Sequence, residues 1–497
     1  MKAKEKSVIV IGGGLGGLSA AISLASEGFR VSLFEKNKHL GGKLNIREID
    51  GFSFDLGPSI LILPHIFEAL FKRAGKCMKD YVPLEELSTH WRNFFEDGVQ
   101  VDLCADFKDT ERELAKLGPK AAKGFYSYID YSRNLWNYVE EHYFAKRSDT
   151  VWDIMRGDNL FNIPAKSDCL SSMAQGVHRH IKDPYLRRIM NFFIKYVGSS
   201  AYDAPGMYNL LAYSQYGYGL WYVTGGMFNL SKGLEKLMRE LQIDIHLDAE
   251  VTAVQSQGQK ISSITLGDGS QHSADIIVSN MEVIPAYKKL FNEQPSLLNK
   301  YEKTFTPSCS GLVVHLGVNR TYPQLAHHNF FFARDEKKHF NTVYRKKELP
   351  DDPTIYLVAP TRTDDTIAPQ GHEIIKILPH IPHLTDKEVA PEDYLALKEK
   401  LYDKLERMGL ENLRKHIVVE DMLTPVDIEQ MYFSNKGSIY GIEAHRTRNL
   451  GCRAPKKCRQ FENLYFVGGS VNPGSGMPMV VLSGQMVRDM ILEDYKT

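Results

Sequence analysis

Residues 8–11 form an apolar run with no polar alternation, the pattern of a strand covered on both faces. Leu15, Leu18, Ile22 and Ala25 then recur at helical spacing, Gly28 closes that helix, and residues 30–34 make a second apolar strand. The same strand–glycine–helix sequence returns near the C-terminus. There residues 464–467 are apolar after Asn463 and run into Gly468-Gly469, and Val480, Val481, Gln485, Met486 and Arg488 continue as a helix. The middle of the chain reads differently. Residues 124–144 predict an aromatic-rich amphipathic helix with Phe125, Tyr128, Ser132, Leu135, Val139 and His142 on one face, and Tyr131 and Tyr138 beside it. Residues 185–196 are basic and strongly apolar. Leu230, Leu234, Leu237 and Leu241 mark another helix, and Ile243, Ile245 and Leu247 alternate as a strand. Gly267-Asp268-Gly269 is a hairpin turn, while residues 274–280, 311–318 and 354–359 are strand-like. The class is α/β.

The glycines between the first strand and helix carry chemistry. Gly12-Gly13-Gly14-Leu15-Gly16-Gly17 satisfies G-x-G-x-x-G. Gly12 permits the tight turn, Gly14 lets the backbone approach a pyrophosphate, and Gly17 lets helix and strand pack closely. Free N–H groups at the helix N-terminus then meet the phosphates. Glu35, followed by Lys36, ends the second strand roughly twenty residues beyond the glycines, where a carboxylate accepts bonds from ribose hydroxyls. A carboxylate there also repels the extra phosphate of NADP.

Composition narrows the partners. Lysine plus arginine equals aspartate plus glutamate, at 61 each, so no overall field attracts nucleic acid. The six cysteines include no C-x-x-C pair, which argues against a zinc site or a disulfide framework and for a reducing cytoplasm. His327-His328 and the pair His380 and His383 invite a metal reading, but no acid or cysteine stands at ligand spacing, and no metal is expected. No stretch approaches the roughly 20 apolar residues that span a bilayer, so the chain is expected to be soluble or to lie on a membrane. Arg345-Lys346-Lys347 is a basic patch that would assist contact with anionic lipids.

After the ribose acid comes His39-Leu40-Gly41-Gly42-Lys43, then Asp55-Leu56-Gly57-Pro58-Ser59. With these segments the chain resembles the FAD-binding family of amine oxidases, phytoene desaturases and Rab escort proteins. Lys43 stands where that family usually has arginine, keeping the charge without the planar fork. Within it, the chain is similar to the bacterial carotenoid desaturases and oxygenases. The stretches that carry this likeness are residues 195–205, 279–285, 322–332 and 469–479. Desaturases typically read His-Pro-Gly-x-Gly-Val/Ile-Pro in the last of these, whereas this chain has Asn472 and Met477, as the oxygenase group does.

The resemblance implies a discontinuous Rossmann-like FAD-binding domain over 1–75, 221–299 and 416–497. A mixed α+β substrate domain with a helical insertion would take 76–220 and 300–415. It implies FAD contacts at Gly12, Gly14, Leu15, Gly16, Gly17, Glu35, Lys36, Gly41, Gly42, Lys43, Gly57, Pro58 and Ser59. Val251 would face the adenine, and Gly469, Asn472, Gly476, Met477 and Val480 would lie by the flavin. Ser59, Trp221 and Asn472 are flavin-proximal candidates that serve equally as turn or packing residues, and no catalytic residue is assigned. The implied reaction is oxidation of the terminal methyl of a C30 carotenoid, 4,4'-diaponeurosporene or 4,4'-diapolycopene, to an aldehyde. Oxygen or another electron acceptor would take part, at the inner face of the cell membrane. Desaturation of a carotenoid, or non-catalytic lipid escort on the same fold, are the competing expectations.

Overall fold

The computed structural model describes residues 6–144, 166–291 and 295–495. Two sheets organise them. Along the first half of the chain run β1 (Ser7–Ile11), α1 (Leu15–Ser26), β2 (Arg30–Phe34), β3 (Thr89–Phe94), β4 (Gln100–Cys104) and α2 (Pro119–Val139). Next come β5 (Asp244–His246), β6 (Ile276–Ser279), β7 (Val313–Val318), β8 (His328–Phe331) and β9 (Ile355–Val358). The set closes with β10 (Glu373–Ile381), β11 (Ile417–Leu423), β12 (Leu464–Phe466) and α3 (Met477–Asp494).

The first sheet is parallel throughout, in the order β12-β6-β1-β2-β5. Its central strand β1 is hydrogen-bonded on both sides, with Val10 opposite Val278 and Leu33. That placement explains the unbroken apolar run: both faces of the strand are covered. α1 lies on the sheet and packs on α3. A Cβ at Gly484 would fall 2.6 Å from the Ala20 nitrogen, so only glycine lets the two helices meet there. The Ser19 hydroxyl seals the contact by donating to the Val481 carbonyl at 2.6 Å.

The second sheet has the order β11-β7-β10-β9-β8-β3-β4. Its pairs are antiparallel except β8 with β3. Side-chain alternation divides its two faces. Phe331 packs with Tyr394, Leu397 and Leu401 of helix Pro391–Arg407. Its neighbours Phe330 and Phe332 face Phe192, at the end of the basic, apolar segment. That segment forms helix Pro184–Phe192 and then a 3-10 turn, Phe193–Val197, closed by Gly198 at φ +58°.

α2 buries Phe125, Tyr128, Ser132, Leu135 and Val139 on the expected face, but it ends at Val139. His142 falls in a π-helical turn, Glu140–Phe144, and is half-buried there. Among the described residues no helix is long and apolar enough to cross a membrane.

Candidate cofactor and substrate site

A cavity of about 550 Å³ opens at the carboxyl end of the parallel sheet. Ligand sites of open α/β sheets form at that edge because the glycine turns and helix N-termini gather there. Gly12, Gly14 and Leu15 at the start of α1, Glu35 and Lys36 at the end of β2, and Gly41, Gly42 and Lys43 in the next loop all line it. So do Gly57, Pro58 and Val251. Gly469, Gly476, Met477 and Val480 bring the start of α3 to the same wall. Two helix N-termini, each the positive end of a dipole, therefore face one space.

The glycines make this approach possible. A Cβ at Gly14 would fall 2.7 Å from the Asn280 side-chain nitrogen, and one at Gly42 would fall 3.0 Å from Gly14 Cα. The Gly41 N–H donates to the Gly13 carbonyl at 2.8 Å, locking that loop onto the helix start. A wall of bare backbone with unsubstituted Cα atoms is what a pyrophosphate requires, so these residues fit a dinucleotide cofactor.

Glu35 is buried and already oriented. Its Oε2 accepts the Gly13 N–H at 2.6 Å, and its Oε1 accepts the Asn37 backbone N–H at 2.9 Å and its side-chain nitrogen at 2.7 Å. Lys43 lies against Glu282 at 3.3 Å and donates to the carbonyls of Ser438 (3.2 Å) and Ile439 (3.4 Å). Lys36 donates to the Gln430 carbonyl and sits 3.7 Å from the centre of the Phe433 ring; burial lowers its pKa from the ordinary value.

Several residues anticipated at the cofactor are not among those lining this cavity. Gly16 and Gly17 do not line the cavity; they serve close packing, since a Cβ at Gly17 would fall 2.1 Å from the Gly12 carbonyl oxygen. Ser59 borders a second, smaller cavity with Tyr222 and His327. Trp221 pairs in the short strand Trp221–Val223 with Leu84–Glu86, and its indole donates to the Tyr218 carbonyl at 2.8 Å. Asn472 is buried behind the cavity wall. Its Oδ1 accepts from the Tyr143 hydroxyl at 2.7 Å and the Arg453 N–H at 2.9 Å. His327 Nδ1 meets the Thr363 hydroxyl and His328 Nδ1 the Tyr356 hydroxyl, and among the described residues no three metal-ligating side chains converge. Arg345 in the basic patch is paired with Asp203 at 2.7 Å.

The structure also adds residues that reading the sequence missed. Asn280, at the end of β6, lines the cavity and packs against Gly12, Gly14, Gly16 and Gly468. Its position after a further apolar strand was the available signal. Lys376, from β10 of the other sheet, borders both cavities. Its ammonium donates to the Asp55 carbonyl at 2.9 Å, the Gly57 carbonyl and the Ser59 hydroxyl at 3.2 Å. Burial brings its pKa down to about 8. The Asp55 carboxyl in turn accepts the N–H groups of Met227 (2.7 Å) and Phe228 (3.1 Å), and burial raises its pKa. A Cβ at Gly57 would fall 1.7 Å from the Lys43 carbonyl oxygen, so the segment 55–59 interlocks with the loop before it.

The chain has relatives along nearly its whole length. Residues 15–488 match the model of the flavin containing amine oxidoreductases. The chain is 58% identical to a 4,4'-diapolycopene oxygenase of Methylomonas sp, over 99% of each chain. It is 49% identical to a 4,4'-diaponeurosporene oxygenase of Staphylococcus aureus (strain USA300), over 98% of each. Among solved structures it resembles an oxidoreductase from Methanosarcina mazei, with TM-score 0.65 at 16% identity over 97% of this chain and 100% of that one. It also resembles a redesigned putrescine oxidase, with TM-score 0.66 at 14% identity over 98% and 99%. These last two likenesses concern the fold. The chain belongs to the flavin-containing amine oxidoreductase family and is an FAD-dependent oxidoreductase.

Proposed function

We propose that this protein oxidises the terminal methyl group of a C30 carotenoid, 4,4'-diapolycopene or 4,4'-diaponeurosporene, to an aldehyde. The observation that carries the reading is likeness along nearly the whole chain to two oxygenases named for those polyenes. The first stage would break a terminal C–H bond and form a C–O bond, giving an alcohol: either hydride leaves to the oxidised flavin and water supplies the hydroxyl with loss of a proton, or one atom of dioxygen is inserted while two reducing equivalents carry the other to water. The second removes two hydrogens from that alcohol. FAD supplies the two-electron acceptor for such chemistry.

The chain's own residues bind and orient. The N–H groups opening α1 hold the pyrophosphate beside Gly12 and Gly14, with Gly16 and Gly17 keeping helix and strand together. Glu35 Oε2, with one protein donor, retains a lone pair for a ribose hydroxyl. Lys36, Gly41, Gly42 and Lys43 would flank the same stretch, and the Val251 backbone would meet the adenine. The start of α3, with Gly469, Gly476, Met477 and Val480, would hold the flavin end together with Gly57 and Pro58. Ser59 and Asn472 act from behind that wall. Leu378, Leu423 and Ile428 give the cavity its apolar side, which suits a polyene and excludes water. Lys376 Nζ, with its pKa near 8, holds or releases a proton at the wall close to neutral pH. In this division of labour residues 1–75, 221–299 and 416–497 serve the cofactor, and 76–220 and 300–415 serve the substrate.

The test is product identity. FAD-loaded protein supplied with either polyene should yield an alcohol or aldehyde at the chain end, read by mass spectrometry. Parallel runs in labelled dioxygen and labelled water assign the oxygen. Products that lose hydrogens without gaining oxygen would overturn the reading in favour of a desaturase. Absence of bound flavin would point instead to lipid escort. Because such polyenes reside in bilayers, we also propose peripheral association with the inner face of the cell membrane. Flotation with anionic vesicles tests it, and protein left wholly in the soluble fraction would refute it.

A further inference from the structure

Lys195 lies in the 3-10 turn Phe193–Val197 and is almost fully buried. Its ammonium nitrogen stands over four aromatic rings: Tyr356 at 4.3 Å, Tyr196 at 4.4 Å, Trp91 at 4.9 Å and Phe330 at 5.0 Å. Among the described residues neither a carboxylate nor a hydrogen-bond acceptor meets it, and burial drives its pKa well below the ordinary value. A lysine is seldom enclosed this way without a carboxylate.

Its surroundings contain further polar atoms without partners. They are His328 Nε2, both ring nitrogens of His90, and Gln215 Nε2. His328 Nδ1 meets the Tyr356 hydroxyl at 2.9 Å, and the Tyr196 hydroxyl donates to Gln215 Oε1 at 2.7 Å, which ties these groups to the rings around Lys195. Burial keeps both imidazoles neutral, with His90 pushed down to about 4. Buried polar groups in folded proteins nearly always find a partner, so a cluster of orphans marks a place for a polar atom brought from outside the chain. The cluster adjoins the main cavity. Tyr440 is part of the cavity wall, and its nearness adds to the raised pKa of both Tyr196 and Tyr356, whose main cause is burial. Gly476, also on that wall, backs onto the Tyr196 carbonyl, 3.9 Å from a Cβ built there.

We infer that this cluster is the subsite for the oxygen-bearing end of the substrate: a terminal hydroxyl or aldehyde bonds to Lys195 Nζ and the adjacent amide and imidazole, while the polyene beside it lies on the aromatic rings. Lys195 then discriminates the alcohol from the hydrocarbon and holds the alcohol for the second oxidation. The inference rests on the carotenoid reading above.

The experiment compares FAD-loaded wild type and Lys195→Met for binding of 4,4'-diapolycopene and of its terminal alcohol, followed by the polyene absorption band. Lys195→Met should weaken the alcohol at least about tenfold relative to the hydrocarbon, because a site built around a substrate hydroxyl loses its pairing when the donor is removed. FAD content and hydrocarbon affinity should hold, and turnover should accumulate alcohol. If Lys195→Met does not retain FAD, Gln215→Leu is read for the same ratio. An unchanged alcohol-to-hydrocarbon ratio in the variant that keeps its FAD overturns the subsite alone. A wild type that binds neither polyene overturns the carotenoid reading and the subsite with it.

Discussion

The cavity at the edge of the parallel sheet and the aromatic cluster around Lys195 are neighbours across Tyr440, yet they are built by opposite means. The first is made of backbone. Glycine Cα atoms, helix N-termini and one carboxylate with three donors already in place form much of its wall, and at Gly14 and Gly41 a single Cβ finds no room. The second is made of side chains from separate elements: Trp91 of β3, Lys195 and Tyr196 of the 3-10 turn, Phe330 of β8 and Tyr356 of β9. Around them His328 Nε2, Gln215 Nε2 and both His90 ring nitrogens are left unpaired. A cofactor that never varies can be held by backbone, which substitution cannot alter. A substrate end that changes from methyl to alcohol to aldehyde needs side chains whose pairing can be completed or withheld.

The comparison breaks most completely at Gly14. Gly14→Val places branched carbons where a Cβ alone is 2.7 Å from Asn280, and the purified variant should carry no FAD, as read by flavin released on denaturation. A full flavin complement would mean that the backbone does not hold the cofactor.

Glu336 tests the side-chain-built region next. It lies in helix Glu336–Phe340 beside Arg188, has one orphaned oxygen, and burial raises its pKa to about 8. The folded protein therefore keeps a proton that the unfolded chain releases above its ordinary 4.5. Its contribution is fully present below that value and is lost as the pH rises to about 8, a swing of roughly 4–5 kcal/mol. Glu336→Gln should flatten the stability profile across that window in urea titrations. A profile that keeps its slope would show the slope to arise elsewhere.

Gly17→Ala separates packing from binding within the cradle. The added methyl meets the Gly12 carbonyl at 2.1 Å although it does not reach the cavity, so it should cost about 1–3 kcal/mol of stability with or without FAD. Thermal denaturation of both forms reads it; a loss confined to the FAD-bound form would place Gly17 at the cofactor after all. The smallest effect belongs to Arg345→Ala. Its bridge to Asp203 is exposed on the arginine side, and removal should change stability by about 0.5 kcal/mol or less. A larger change in the urea midpoint would give this patch a structural role.

Adjacency to a motif proved a mixed guide. Gly57 and Pro58 line the cavity, but Ser59 and Asn472, as near to their motifs, do not. The Asn472 amide instead closes on Arg453, at its N–H and, at 3.3 Å, its carbonyl. Trp221 is taken up by a two-stranded pairing. Ser59 and Asn472 are held by side chains distant in sequence, Lys376 and Tyr143, and Trp221 by a distant strand with its indole on the nearby Tyr218 carbonyl; no local pattern announces the distant partners. Lys376 stayed hidden for a related reason. In residues 374–378 it reads as a lone polar position in an apolar strand, and it reaches the cavity only because β10 packs against segment 55–59.

The sequence by itself determined the parallel-sheet cofactor cradle, the helix starts and the glycine turns. These depend on short-range rules: strand period, helical spacing, and the conformations that only glycine admits. Tertiary structure alone decided that Asn280 and Lys376 join the cavity and that Lys195 is ringed by aromatics. It also decided that both ring nitrogens of His90, Gln215 Nε2 and His328 Nε2 are left without partners. The physical reason is that burial and pairing are properties of three-dimensional neighbours, and those neighbours come from strands and helices hundreds of residues apart along the chain.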